Sequence, residues 1–247
     1  MHDILKRGRV PLRIRLPSGS VPAWCIAIYR DYRRYRAAEE SFLTTVFLTQ
    51  GFWASCVYRF ARGIVVPSHP GLLRVPAKIV SAALQKGIEI ITGICIPREC
   101  DIGQGLYIGH YGTIILPSQG CLGCNCNIAH TVTFGIAGSG ANRGVPSIGD
   151  RVFIGAHSVV VGKISIGDDA MVCAGSVVTR SVPARAVVMG NPAKVISYKG
   201  SFEHVLYDGM ESDPERCASL QRARVDAAQM RDIDWQGAMD RRRDEIA

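Results

Sequence analysis

The stretch IGDRVFIGAHSVVVGKISIGDDAMVCAGSVVTRSVP, residues 148–183, carries an aliphatic residue at every sixth position. A period of six matches neither the 3.6-residue period of an α-helix nor the two-residue alternation of an ordinary strand. It is the spacing of a parallel β-helix, in which each six-residue repeat lays one short strand on one flat face. The inward residues predicted for this stretch are Ile148, Ile154, Val160, Ile166, Val172 and Val178.

The same count extends back to the middle of the chain. The earlier inward positions are Ile90, Ile96, Ile102, Ile108, Ile114, Gly120, Cys126 and Val132. A second inward column lies two residues before the first and consists of Ile94, Cys100, Leu106, Gly112, Ser118, Cys124, Val152, Ser158, Ile164, Ala170, Ser176 and Val182. The sequence therefore predicts a mainly β fold, with a β-helix over residues 88–199.

The count fails between Val132 and Ile148. Ten residues, GSGANRGVPS at 138–147, remain out of register there. A segment this rich in glycine and polar residues has no place inside a prism. We therefore expect a protruding loop, and such loops carry function more often than structure.

The regions on either side of the repeats have other patterns. Residues 1–22 are rich in Arg, Pro, Gly and Ser, which predicts an irregular basic arm. Residues 23–87 predict an α-helical cap on the N-terminal end of the prism, and residues 200–247 predict a charged, partly helical tail. Within the cap, helices are expected over about 23–40, 41–64 with a break at Gly51, and 72–86.

Composition limits the classes of protein that need to be considered. Of the 247 residues, 47% are hydrophobic and 20% are charged, which is ordinary for a globular protein. No apolar run approaches the roughly 18 residues of a membrane span, and the N-terminus lacks the apolar core of a signal peptide. These features predict a cytoplasmic protein without an integral membrane segment.

No disulfides are expected among the nine cysteines, and Cys100, Cys124 and Cys126 fall on predicted inward positions, where a small thiol acts as a buried hydrophobe. Cys121, Cys124 and Cys126 have the composition of a metal site, but two of them fall on predicted inward positions, so no metal is expected. The net charge of +8 is unevenly spread, because residues 1–36 hold nine Lys or Arg and two acids. No nucleic-acid-binding motif accompanies that charge, so a solvated arm is favoured over an anionic partner.

From Ile94 to Val195 the chain resembles the serine acetyltransferase branch of the hexapeptide acyltransferases. The resemblance runs through LYIGHYGTIILP at 106–117, VTFGIAGSGANRG at 132–144, residues 148–183 and VMGNPAKVI at 188–196. It implies a left-handed β-helix and a homotrimer, and it leaves open whether two trimers pair. It also implies an enzyme that acetylates a hydroxyl with acetyl-CoA as co-substrate, bound in the groove between adjacent prisms.

The resemblance marks His110 as the catalytic residue. His110 is the third residue of its repeat, a position that faces outward. An alcohol is a poor nucleophile at neutral pH, and an imidazole titrates in that range, so it can take the hydroxyl proton as the oxygen attacks a thioester. His110 is therefore the predicted general base.

The same resemblance implies residues along the CoA groove. Gly135, Ala156 and Ala174 are the expected contacts of the pantetheine arm. Arg180 and Lys194 are candidates for the CoA phosphates, with a solvated surface role equally open. Two further histidines draw attention: His130, on a predicted inward position, is read as a polar residue near the acceptor, and His157 as an outward residue beside the groove.

Several positions depart from the serine acetyltransferase pattern. Cys95 stands where the family has a carboxylate that orients the catalytic histidine. Gly109 replaces the acid that holds the serine ammonium, and Gly144 and Val145 replace the Arg-His pair that grips its carboxylate. A free amino acid needs partners for both charges. The sequence therefore favours a neutral acceptor, a hydroxyl of a sugar or polysaccharide precursor or of another neutral metabolite.

Three alternatives stay open beside this reading. The first is a serine O-acetyltransferase with an altered pocket. The second is a non-catalytic prism, suggested by the loss of the carboxylate at Cys95. The third is a zinc-dependent prism enzyme, which needs three histidines at a subunit interface, but the 20- and 27-residue spacings of His110, His130 and His157 do not match its closely paired pattern.

Overall fold

A computed structural model describes residues 22–65 and 71–226. Four helices come first, and the prism of short strands follows. The predicted basic arm, apart from Pro22, and the tail from residue 227 lie outside the described residues. The helices are α1 (Ala23–Ala37), α2 (Phe42–Leu48), α3 (Gln50–Val65) and α4 (Gly71–Thr92).

The strands form a three-faced left-handed β-helix, as the six-residue period and the resemblance predicted. One face has the order β1-β3-β6-β9-β12, the second β2-β4-β7-β10 and the third β5-β8-β11-β13-β14, where only β14 runs antiparallel to its neighbour. The strands are β1 (Ile94–Cys95), β2 (Asp101–Ile102), β3 (Ile114–Ile115), β4 (Cys121–Leu122), β5 (Asn127–Ile128), β6 (Thr133–Gly135), β7 (Ser147–Ile148), β8 (Phe153–Ile154), β9 (Val159–Val161), β10 (Ser165–Ile166), β11 (Met171–Val172), β12 (Val177–Val178), β13 (Val187–Gly190) and β14 (Ala193–Ser197).

The second half of the prism follows the predicted count from Ser147 to Val178, and the last coil is two residues shorter, since Met171 pairs with Val187. Val159 pairs with Val177 and Ser147 with Ser165, each 18 residues later. Both predicted columns are buried here, apart from the half-buried Ile164. The interior of this half is therefore a stack of aliphatic and small side chains at the positions that the sequence assigned.

The first half of the prism departs from that count by two residues. Ile94 pairs with Ile114 and Asp101 with Cys121, in each case 20 residues later. The two extra residues lie in the corner 109–113, so the inward positions after it move two places along the chain. Predicted inward positions there are wrong at Ser118 and Cys124, which are exposed, and at Gly112, which is half-buried. The residues that fill the interior instead are Leu116, Leu122, Ile128 and Phe134.

The prism begins at Ile94, not at residue 88 as predicted. Helix α4 continues to Thr92, and Ile90, which was assigned to the interior, is 77% exposed on that helix. The helix ends where Gly93 adopts a φ of +74° and its N–H bonds to the Glu89 carbonyl at 2.8 Å. Glycine adopts this left-handed conformation without strain and commonly terminates helices for that reason.

The predicted break in the second helix lies at Thr49, two residues before Gly51. Gly51 has a different role, because a Cβ at this position would lie 2.0 Å from the Ile108 carbonyl oxygen. The absence of a side chain thus allows α3 to touch the backbone of the first coil.

Tyrosine hydroxyls from the cap complete the open edge of the first coil. The Tyr35 hydroxyl donates to the carbonyl of Ile108 and accepts from its N–H, both at 3.1 Å. The Tyr58 hydroxyl donates to the Cys100 carbonyl at 2.8 Å and accepts from the Ile102 N–H at 3.2 Å. These side chains take the place of a preceding strand for backbone groups that would otherwise be buried and unpaired.

A buried carboxylate joins the cap to the same coil. Asp31 accepts hydrogen bonds from the backbone N–H groups of Gly105 and Leu106 at 2.8 and 2.9 Å. It also pairs with Arg59, whose Nε lies 2.8 Å away and whose Nη1 donates to the Ile102 carbonyl at 2.7 Å. Every polar atom of this group thus finds a partner, which a charged pair needs when it is buried.

Part of the charged tail packs on the prism. Ser201, Phe202 and Val205 are buried, and residues 214–226 are helical. Asn127 of β5 donates to the His204 carbonyl at 2.9 Å and accepts from Arg34 of α1, which also donates to the Leu206 carbonyl. Asn127 therefore connects α1 with residues 201–206. Across the described residues, no helix is long and apolar enough to cross a membrane.

Candidate active site

The two extra residues of the first coil form the corner that holds His110. The imidazole is exposed at this corner, as its outward position predicted. Tyr107 pairs with Asn127, Ile128 with Ile154 and Ile154 with Val172. Extending that register by two or three residues places His110, His130, Ala156 and Ala174 at the same corner of four successive coils.

The histidine rings contact one another along this corner. The ring centroids of His110 and His130 are 5.9 Å apart, and those of His130 and His157 are 5.2 Å apart. His157 is exposed, and its N–H bonds to the His130 carbonyl at 3.1 Å. No group of three His, Cys, Asp or Glu side chains among the described residues could hold a metal ion.

His130 lies at the corner, half-buried, and not at the inward position that the sequence assigned to it. The two-residue shift of the first coil explains this difference, because it moves the inward positions to Ile128 and Val132. The Nδ1 atom of His130 is buried and has no hydrogen-bond partner within the described part of the chain.

Cys95 lies half-buried on β1 and contacts a carboxylate that spacing did not reveal. Its thiol donates to Glu89 Oε1 at 3.3 Å, and Glu89 also pairs with Lys86. Burial, followed by the Glu89 hydrogen bond, raises the pKa of the Cys95 thiol to about 11. The thiol is therefore neutral at physiological pH, and no hydrogen bond joins it to His110 in the described residues.

Gly109 lies against a second pair that the sequence did not indicate. The Tyr107 hydroxyl donates to Glu40 Oε1 at 2.9 Å, and a Cβ at Gly109 would lie 3.1 Å from the Tyr107 ring and hydroxyl. Burial, followed by the Glu40 hydrogen bond, raises the pKa of Tyr107 to about 12. Tyr107 thus fills the space beside Gly109. Because Glu40 comes from the α1–α2 connection, no periodicity could have predicted this contact.

The protruding loop folds back on the prism through its own backbone. Ala137 and Gly144 exchange two hydrogen bonds, at 3.2 and 3.0 Å, and a short 3-10 turn lies between them. Lys163 donates to the Ala141 carbonyl at 3.1 Å, and a Cβ at Gly144 would lie 2.8 Å from the Lys163 Cβ. Residues 138–143 are exposed, Val145 is half-buried, and Ser147, predicted to be in the loop, instead begins β7.

The predicted groove residues lie on the second half of the prism and next to it. Ala156 is half-buried and Ala174 is exposed, and the Gly175 N–H bonds to the Ala156 carbonyl at 2.8 Å. Gly135 ends β6, where a Cβ would lie 2.9 Å from a Val161 methyl group. The two cations predicted for the CoA phosphates, Arg180 and Lys194, are both exposed.

Comparison with known proteins gives the family. Residues 147–180 match the family model described as the hexapeptide repeat of succinyl-transferase. Serine acetyltransferase from Helicobacter pylori (strain ATCC 700392 / 26695) is 34% identical over 118 residues, which cover 48% of this chain and 69% of the relative. The chain belongs to the serine acetyltransferase family.

Solved structures of serine acetyltransferases share the fold. The Brucella abortus strain S19 enzyme, in complex with coenzyme A, superposes with a TM-score of 0.61 at 28% identity. The superposition covers 71% of this chain and 68% of the Brucella chain. The Neisseria gonorrhoeae enzyme, in complex with serine, gives 0.59 at 29% identity, with coverages of 70% and 69%.

The chain spans about half the length of the first curated serine acetyltransferases that it matches. The share is 42% for serine acetyltransferase 4 of Arabidopsis thaliana, at 32% identity over 158 residues. Family membership therefore rests on part of the relatives' length.

Proposed function

We propose that this protein is an acetyl-CoA-dependent O-acetyltransferase in which His110 is the general base. The observation that carries the proposal is the exposed imidazole at the enlarged corner, followed on the next coils by His130, Ala156 and Ala174. Because Ala156 and Ala174 are small, the same corner leaves room for an extended thioester beside the base.

His110 would act on the acceptor hydroxyl. Its unprotonated nitrogen takes the hydroxyl proton as the oxygen attacks the thioester carbonyl, and the resulting imidazolium returns that proton to the departing thiolate. One ester and one thiol form from one alcohol and one thioester, so no covalent enzyme intermediate is required. Bound acetyl-CoA would supply the acetyl group and the leaving thiolate.

The donor would lie along the second half of the prism. Ala156 and Ala174 have small side chains at the corner, and Gly135 has none on the adjoining face. A pantetheine arm can therefore approach the backbone at these positions. Arg180 and Lys194 are exposed cations suited to the CoA phosphates. The coenzyme A complex of the Brucella relative supports this donor. We include a homotrimer in the proposal, with the groove completed by an adjacent prism, and sedimentation analysis should then give three times the mass of one chain.

L-serine is the first acceptor to consider, because the relatives are serine acetyltransferases. The loop of the prism and the helical cap also carry one candidate partner each for the two charges of an amino acid. Arg143 is exposed directly before Gly144, and Glu40 lies with Tyr107 beside Gly109. The sugar acceptor favoured by the sequence has no support from the relatives.

A neutral hydroxylated acceptor remains the second candidate. The observation that favours it is the absence of charged side chains at the corner and loop positions Gly109, Gly144 and Val145. In this case Arg143 and Glu40 would serve the structure of the loop and of the cap, and not the acceptor.

Release of CoA measured with L-serine and with a panel of sugars tests both candidates. We expect turnover with serine and a loss of at least tenfold in kcat/KM for serine in Arg143→Ala, with Arg180→Ala as a matched exposed arginine whose effect falls on the KM of acetyl-CoA. Turnover with a sugar alone, unchanged in Arg143→Ala, would select the neutral acceptor. Failure of every acceptor would reject the proposed function.

A further inference from the structure

One ring nitrogen beside the proposed base lacks a partner among residues 22–65 and 71–226. The His130 ring lies between those of His110 and His157 and meets each of them nearly edge to face, with interplanar angles of 74° and 86°. Its Nδ1 atom is buried and unpaired within the described residues. A buried polar atom without a hydrogen bond destabilises the folded protein, so its presence requires an explanation.

The proposed base, in turn, needs an orienting partner. A histidine acts as a base through one nitrogen, and the hydrogen bond made by the other nitrogen sets its tautomer and the orientation of its ring. Cys95 is a poor candidate for this partner. Its thiol already donates to Glu89, it stays neutral, and sulfur is a weak acceptor.

We propose that His130 is the positioning residue for His110. Its unpaired Nδ1 accepts a hydrogen bond from a ring N–H of His110, and the other His110 nitrogen is thereby left free to take the acceptor's proton. The inference rests on the proposed function, since it names the partner of the same base.

The two ring centroids are 5.9 Å apart, so this hydrogen bond requires the His110 ring to turn. His110 is exposed, so its ring can turn toward the fixed, half-buried His130 without displacing the core. Hydrogen bonds between catalytic groups are often long in the unliganded protein and shorten when substrates bind. The register supports the pairing, since both residues occupy the same corner of successive coils.

Two substitutions separate hydrogen bonding from ring packing. His130→Phe keeps an aromatic ring against both neighbours but removes the nitrogen, whereas His130→Gln removes the ring but keeps an acceptor oxygen. We expect His130→Phe to lower kcat by about tenfold to a hundredfold. The KM of acetyl-CoA should not change, and His130→Gln should recover much of the lost kcat. His204→Phe, the matched control at an exposed histidine that packs on Phe153 instead, should stay within about threefold of the wild type.

Three kinetic outcomes would overturn the inference. Wild-type kcat in His130→Phe would mean that the ring only packs. A loss confined to the KM of acetyl-CoA would place His130 in the donor groove. An equal loss in His204→Phe would show that the effect is not specific to His130. Circular dichroism and melting temperature confirm that each variant is folded.

A second measurement decides the inference even without turnover. The tautomer of His110 can be read from side-chain nitrogen shifts in protein labelled with ¹⁵N-histidine, with His110→Asn used to assign its signals. We expect one tautomer in the wild type and a mixture in His130→Phe. An unchanged tautomer in His130→Phe would reject the inference. A changed tautomer in that variant, together with a wild-type protein that is inactive with every acceptor, would reject the proposed function alone.

Discussion

The two halves of the prism obey different rules. In the second half, from Ser147 to Val178, strands repeat every 18 residues and small side chains line the corner at Ala156 and Ala174. In the first half, one coil has two extra residues around His110 and another carries the loop 138–146. The regular half offers a surface for an extended donor, and the irregular half holds the groups that can do chemistry. Departures from the repeat thus mark the candidate site.

The largest effect should follow removal of the base in the first half. His110→Asn should lower kcat by roughly 10²-fold to 10⁴-fold, because general-base catalysis contributes about this much to the rate. The affinity for acetyl-CoA should not change. Steady-state kinetics and calorimetric titration with CoA measure the two quantities. His157→Asn alters a second exposed histidine of the same corner and should change kcat little. Equal losses in both variants would contradict the distinction between them.

The first half should also be the half whose stability depends on the helical cap. Asp31→Asn leaves Arg59 buried without its charged partner, and breaking such a pair costs about 3–5 kcal/mol. Urea denaturation followed by circular dichroism measures the free energy of unfolding. Asp208→Asn removes the exposed partner of Arg33 and should cost less than about 1 kcal/mol. Similar costs for the two variants would show that the cap is not anchored through Asp31.

In the second half, added bulk should affect the donor only. Ala174→Leu places a larger side chain at an exposed corner position and should raise the KM of acetyl-CoA by roughly tenfold, as crowding of a pocket commonly does. The KM of the acceptor should be unchanged in initial-rate measurements. Ala218→Leu, on the helix over 214–226, is the exposed control. A change in acceptor KM alone would place the donor elsewhere.

The smallest effect concerns pH and the cap. Burial raises the pKa of Tyr35 well above its usual value of about 10 and that of Tyr58 to about 12. The unfolded chain therefore loses these protons first, so stability is fully present below pH 10 and falls as the pH rises further. The raised pKa of Tyr58 alone should lower the free energy of unfolding by about 1 kcal/mol at pH 11. Melting temperatures between pH 8 and 11 should fall less steeply in Tyr58→Phe than in Tyr29→Phe, which alters an exposed tyrosine.

The fold and the exposure of His110 could be predicted because both depend on local spacing. The inward aliphatic column of residues 148–178 identified the β-helix, and the outward position of His110 identified an exposed imidazole. The shift at the enlarged corner was missed because Ile114, Cys126 and Val132 are apolar in either register. The large residues Leu116 and Leu122 fit only the observed register, and they were the available signal.

The partners around the site could not be predicted in the same way. Glu40 reaches Tyr107 from the connection between two helices, and Glu89 reaches Cys95 from the end of α4. Such contacts join segments whose relative positions depend on packing and not on periodicity. The sequence showed which carboxylates were absent at Cys95 and Gly109, but not which distant carboxylates would lie there.

The hydrogen bonds of Asn127 have a consequence for control of the protein. The Asn127 amide hydrogen-bonds residues 201–206 on one side and, through Arg34, helix α1 on the other. Helix α1 in turn binds Ile108, two residues before His110, through the Tyr35 hydroxyl. A molecule that pulled residues 201–206 away from the prism would release α1 from one of its anchors. The reactivity of the imidazole would then respond to an event on a remote surface, without any change in the pocket itself.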